Sequence, residues 1–102
     1  MKPPRRKVDL NQKEIVRGLR AIGYSVRHTH TVGRGFPDLA IGKHGLTVLV
    51  EVKRPGEKLT LDEQEFFQAW NGLAVIGHSA EEIHEQFTNA MRSIRIGNAR
   101  QW

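Results

Sequence analysis

Apolar residues recur at helical spacing in two stretches of the chain and at strand spacing in a third, and these periods lay out its elements. Ile15, Val16, Leu19 and Ile22 form one helical stripe. Asn11 is placed to cap that helix, with Glu14 at the third helical position of a capping box and Leu10 and Ile15 spaced as a hydrophobic staple. Gly23 stops it, and Tyr24 to Thr29 reads as a first strand. His30 to Pro37 is a loop carrying Gly33 and Gly35. Leu39 to Ile41 is a short second strand, Gly42 to Gly45 a tight connection, and Leu46 to Lys53 the strongest strand of the sequence. A second helix follows Thr60, again with a glutamate, Glu63, in the capping-box position, and runs to about Asn71. Leu73 to Ile76 is a brief apolar strand. Ser79 then caps a third helix with the stripe Ile83, Phe87, Ala90, Met91 and Ile94.

The predicted order is therefore α-β-β-β-α-β-α, an α/β fold with a central mixed sheet flanked by helices. A short turn makes the ββ meander antiparallel, and the β-α-β step from Leu46 through Ile76 has room for a right-handed crossover and a parallel pair. Residues 9–96 are expected to form a single domain. Residues 1–8 read as a flexible basic arm with two prolines, and residues 97–102 as a tail.

Composition narrows the function classes. A chain of 102 residues holds one small core, and the absence of cysteine excludes disulfides, thiolate zinc sites and cysteine nucleophiles. No apolar run approaches the roughly 20 residues that cross a bilayer, so no membrane partner is expected, and the basic N-terminus leads into no signal-peptide core. The expectation is a soluble cytoplasmic protein. The net charge of +5 is unevenly spread: residues 1–56 carry 12 basic and 4 acidic side chains, residues 57–102 carry 4 and 7. Such asymmetry favours a face turned to nucleic-acid phosphates.

The third strand carries the chemistry. Leu46, Val48, Val50 and Val52 make one apolar face, so the two-residue period puts Glu51 and Lys53 together on the other. A charge pair at the inner end of the most apolar strand needs partners. Asp38 stands at the start of the neighbouring strand, with 12 residues between it and Glu51, and a hairpin of that length brings both carboxylates to one end of the sheet. Two carboxylates beside a lysine suit a hard divalent cation such as Mg²⁺. Such an ion stabilises charge on a phosphoryl group and acidifies water, with Lys53 holding that water or helping to deprotonate it.

Pro37-Asp38, the 12-residue spacer and Glu51-Val52-Lys53 resemble the motif of the PD-(D/E)XK nuclease superfamily. The wider string, Gly35-Phe36-Pro37-Asp38-Leu39, then Val50 through Gly56, then Leu59-Thr60-Leu61-Asp62-Glu63-Gln64, resembles the VRR-NUC family over about residues 10–85. The resemblance implies a restriction-endonuclease-like fold and Mg²⁺-dependent phosphodiester hydrolysis, with Mn²⁺ substituting. It implies Asp38, Glu51 and the Val52 carbonyl as metal ligands and Lys53 as the catalytic lysine. Gln64 is expected to orient Lys53 or the attacking water, its alternative being a solvent-facing glutamine. Glu14 is the first-helix candidate for a further metal ligand, its alternative being the cap with Asn11. Stand-alone members of the family imply action on branched DNA such as four-way junctions, and they resemble nucleases of phages and prophages. A homodimer is expected on two grounds, since one small domain carries one site and paired incisions need two chains.

Arg5, Arg6, Lys7, Arg17, Arg20, Arg27, His30, Arg34 and Arg54 are candidates for contacts to DNA. His28 and His30 lack the third ligand a structural zinc site needs, so DNA contact or a solvated position is expected of both. Phe66 and Trp70 are assigned to the core or a dimer surface. The competing readings are a non-catalytic nucleic-acid-binding module and a nuclease acting on other DNA or RNA substrates.

Overall fold

A computed structural model describes residues 10–100 of the chain, with side-chain surroundings through residue 95. The arm at residues 1–8, with Arg5, Arg6 and Lys7, and the last two tail positions lie outside the described residues. The elements are α1 (Leu10–Ala21), β1 (Ser25–His28), β2 (Leu39–Lys43), β3 (Leu46–Val52), α2 (Leu61–Ala69), β4 (Ala74–Gly77) and α3 (Ala80–Arg100), with a 3₁₀ turn at His30–Val32. The four strands lie in the order β1-β2-β3-β4. The first two junctions are antiparallel and β3 pairs parallel with β4. The protein is thus α/β, a mixed sheet flanked by helices, in the expected order.

Alternation along the strands builds the core. The register sets Leu39 against Val50, Ile41 against Val48 and Val26 against Ile41, so all five share one face. Ile15, Val16 and Leu19 of α1 and Ile83 and Phe87 of α3 close that face into a single buried cluster. Each such side chain contributes about 1.5–3 kcal/mol on burial. Ile83→Ala, at a position with no exposure, is expected to cost about 2–5 kcal/mol in urea unfolding. A loss under about 1 kcal/mol would mean that α3 does not seal the core.

Several boundaries differ from expectation, each for a local reason. α1 begins at Leu10, so Asn11 lies inside its first turn rather than capping it, and Leu10, 77% exposed, forms no staple with Ile15. Ile22 falls in the turn after the helix and is exposed; there Gly23 N–H reaches Arg20 O and Tyr24 N–H reaches Leu19 O, a Schellman closure. β2 takes in Gly42 and Lys43 because His44 and Gly45, at φ 56° and 81°, suffice for the hairpin turn. α2 stops at Ala69, where Trp70 turns extended and stacks on Phe66 with ring centroids 5.0 Å apart. β4 is displaced by one residue, to Ala74–Gly77. α3 continues through residues 97–100, which are helix and not tail; Gly97, the weakest helix former there, costs about 1 kcal/mol and does not end it. Both downstream caps form: Thr60 and Glu63 make a complete capping box, and Ser79 Oγ accepts from Glu82 N–H at 3.1 Å.

Candidate active site

Asp38 and the end of β3 converge where β2 begins. Continuing the β2–β3 register by one position sets Asp38 opposite Glu51. Asp38 Oδ2 accepts the Val52 N–H at 2.9 Å, and its backbone carbonyl accepts Thr29 N–H at 2.8 Å. The Thr29 hydroxyl donates to the Pro37 carbonyl, also at 2.8 Å, so the approach to Asp38 is pinned from β1.

Glu51 is 3% exposed and Lys53 6%, a buried ionisable pair on the face away from the valine row. Lys53 Nζ lies 3.4 Å from Glu51 Oε2, 3.8 Å from Glu57 Oε2 and 2.8 Å from Glu63 Oε1. The Lys53 backbone is clamped as well: its N–H donates to Gly77 O at 3.1 Å, and its carbonyl lies 2.7 Å from His78 Nδ1. Since a carbonyl only accepts, His78 carries its proton on Nδ1.

Glu63 has the capping task that the sequence indicates and a second one that it does not. It completes the capping box of α2 and at the same time brings a carboxylate to Lys53 and Glu51. The loop ahead of Asp38 fixes that approach, because Gly35 packs directly on the Asp62 carbonyl, where a side chain would clash with backbone. Gln64, by contrast, is exposed and donates to Leu59 O at 3.2 Å; the α2 side chain that reaches Lys53 is its neighbour. Glu14 is likewise corrected. It stands exposed on α1, and the charges acting on Asp38 are those of Glu63, Lys53 and His30, so α2 and not α1 completes the acidic group. The polar α1 side chain turned inward with Ile15, Val16 and Leu19 is Gln12, whose Nε2 lies 3.4 Å from His28 Nδ1.

These contacts divide the carboxylates. Burial, then the charge of Asp38 and the hydrogen bond with Glu63, push Glu51 up to about 8 against the pull of Lys53. Burial raises Asp38 too, only partly offset by the Val52 N–H. Burial also acts on Glu63, but bonds from Lys53 and Thr60 N–H outweigh it and hold Glu63 below the usual carboxylate range. Lys53 resists desolvation through the bond and charge of Glu63, helped by Glu51 and Glu57, and stays above the ordinary lysine value. A hydrogen bond between two carboxyl groups needs one proton, and these directions place it on Glu51.

Glu51 Oε1 is buried without a hydrogen-bond partner. An orphaned carboxylate oxygen beside a second carboxylate, Asp38, fits a hard cation that replaces the proton. Among the described residues no three His, Cys, Asp or Glu side chains are arranged to hold a metal ion by themselves. An ion here would therefore draw its other ligands from water and backbone.

The remaining basic candidates are scattered around this end. Arg17 and Arg20 line a cleft on α1 with Lys13 and His28, and Arg20 Nη2 donates to Val26 O at 3.0 Å. His30 lies close enough to act on Asp38, its ring edge-on to His28 with centroids 6.0 Å apart. Arg27 and Arg34 are exposed, Arg34 with φ 55°, and exposed Arg54 follows β3 with its N–H bound to Glu57. Phe66 and Trp70 join Phe36 in an aromatic cluster at the edge of the fold, Trp70 exposed. No helix among the described residues is long and apolar enough to cross a membrane. No protein-family model, curated protein or solved structure matches the chain.

Proposed function

We propose that the protein is a divalent-metal-dependent DNA endonuclease with a restriction-endonuclease-like core, of the VRR-NUC type that its motifs resemble. The observation that carries this reading is the convergence of Asp38, Glu51 and Lys53 at one end of the sheet, with one Glu51 oxygen buried and unpartnered. Asp38, Glu51 and the Val52 carbonyl would hold Mg²⁺ or Mn²⁺. When bound, the cation supplies charge stabilisation at the phosphoryl group and acidifies water. Lys53, kept charged by its three carboxylate neighbours, offers N–H donors to the scissile phosphate or to the attacking water. His30 and the basic residues of α1 supply contacts to the DNA backbone, which position without reading sequence. With one site per chain, a homodimer acts on the two strands of a branched substrate such as a four-way junction.

The test is cleavage of end-labelled four-way junction, flap, single-stranded and linear duplex DNA with Mg²⁺, Mn²⁺ or EDTA. Metal-dependent cuts confined to the junction are expected, from a species that light scattering finds dimeric with DNA. Tight binding with no cutting of any substrate would overturn the reading in favour of a binding module.

A further inference from the structure

The end of the sheet opposite the candidate active site carries a second assembly of basic groups. A cleft of about 270 Å³ opens there between α3 and the β2–β3 hairpin. Its lining includes Lys43 and His44 from the hairpin and His84, Arg92 and Arg95 from α3. Its floor is Tyr24, Phe87 and Met91. A second cleft of about 250 Å³ continues it under the turn, sharing His44, Met91 and Arg95. Among the described residues no aspartate or glutamate lines either one.

The cations are held without being neutralised. Lys43 Nζ donates to Ile22 O at 2.6 Å and sits 4.9 Å from the centre of the Tyr24 ring, while Arg92 Nη1 donates to Asn89 Oδ1 at 3.1 Å. The ion pairs of Lys53 with Glu51, Glu57 and Glu63 lie at the other end of the sheet, and among the described residues no carboxylate pairs with Lys43, Arg92 or Arg95. His84 is oriented by the Tyr24 hydroxyl, 2.7 Å from its Nδ1. The spacing 84, 88, 92, 95 keeps the α3 contribution on one helical face.

We infer that this groove binds a nucleotide unit, its phosphate on Lys43, Arg92 and Arg95 and its sugar or base against Met91 and the imidazoles of His44 and His84. Phosphate matches the cationic rim, and a flat, partly apolar moiety matches the floor. The volume is that of one such unit rather than of a bare phosphate. β3, seven residues long, separates the groove from Lys53 by roughly 20 Å. A unit bound here therefore lies several nucleotides from the scissile phosphate, or on a different arm of the substrate. The unit belongs to a nucleic-acid strand or arrives as a free nucleotide. Only the first source rests on the nuclease reading.

The experiment uses the full-length ¹⁵N-labelled chain in EDTA, titrated with thymidine 5′-monophosphate and, separately, with a single-stranded oligothymidylate of 12 units. Resonances of His44, His84 and Met91 are expected to shift. Movement with the mononucleotide assigns a free-nucleotide site, and movement with the oligonucleotide alone assigns a strand site. Arg92→Glu with Arg95→Glu, both at exposed positions, is expected to weaken the responding ligand at least tenfold with the far-UV spectrum unchanged. For the strand, the salt slope should fall by about 0.7, the value of one phosphate contact on a single strand. Shifts confined to Asp38–Lys53, no shifts with either ligand, or an unchanged affinity in the double variant would overturn the inference. Failure of cleavage alone would leave the groove standing and remove only the nuclease reading.

Discussion

Lys53→Ala is expected to lower metal-dependent cleavage by about 10²–10³-fold, the loss typical when one donor to a developing oxyanion is removed. DNA binding should remain nearly intact, because the ammonium is buried among carboxylates. The same substitution strips Glu63 of its 2.8 Å partner and leaves Glu51, Glu57 and Glu63 facing one another. Removing one member of a buried pair typically costs about 3–5 kcal/mol, so the variant should unfold earlier at neutral pH and recover in acid. Lys53→Ala combined with Glu63→Gln separates the two effects. Stability should return with the unpaired carboxylate gone, while cleavage should not. Cleavage by the stable double variant at the wild-type rate would show that Lys53 has no part in the chemistry.

The second large effect is on stability against pH. Glu51 has a folded-state pKa of about 8 against an ordinary 4.5. Below pH 4.5 it is protonated in both states and the folded chain carries no penalty from it. Between 4.5 and 8 the unfolded chain ionises first, so stability falls, and above 8 the whole difference is lost. At 1.36 kcal/mol per pH unit this is roughly 5 kcal/mol. Asp38, also raised, adds in the same direction. Glu63, lowered, works the other way, and its contribution disappears only as pH falls below the ordinary carboxylate range. Lys53 is raised, so its contribution persists throughout this window. In EDTA, the midpoint of thermal unfolding should therefore be highest near pH 5 and decline toward pH 8. Glu51→Gln should flatten the decline and be the more stable protein at pH 8. Added Mg²⁺ should raise the wild-type midpoint at pH 8 far more than at pH 5, and should do little for Glu51→Gln. A wild-type midpoint that climbs from pH 5 to pH 8 without metal, unmoved by Glu51→Gln, would contradict the placement of the proton on Glu51.

Both predictions turn on a cluster that was only half legible in the chain. The alternation of Leu46 through Lys53 was sufficient to put Glu51 and Lys53 on the face opposite Val48 and Val50, because a strand leaves no other choice once one face is buried. The spacing from Asp38 to Glu51 was sufficient to bring both to one end, because a short hairpin connection returns the chain alongside itself; that His44 and Gly45 alone make the turn, and so set Asp38 opposite Glu51, came from the structure. Thr60 and Ser79 announced their helices through capping chemistry that acts within three residues.

Glu63 shows where that reasoning stops. Its local signal, the capping box, was read correctly and hid a second contact, because Glu63 Oε1 has lone pairs enough to take the Thr60 N–H and Lys53 Nζ together. Glu14 fails for the converse reason. Its helical phase turns it outward, whereas Gln12 lies three, four and seven residues before Ile15, Val16 and Leu19 and shares their buried face. The basic groove is further from reach, since it joins Tyr24, a hairpin and the second half of α3 across more than 60 positions of sequence.

The sequence by itself determined the order of elements, the buried face of each strand and the convergence of Asp38, Glu51 and Lys53, because these follow from local periods and from the short spacing between Asp38 and Glu51. Only the tertiary structure decided which helix completes the acidic cluster, where its proton resides and which cations gather at the far end of the sheet. Those depend on how α2 and α3 settle on the sheet, a matter of packing between distant segments that no local period encodes.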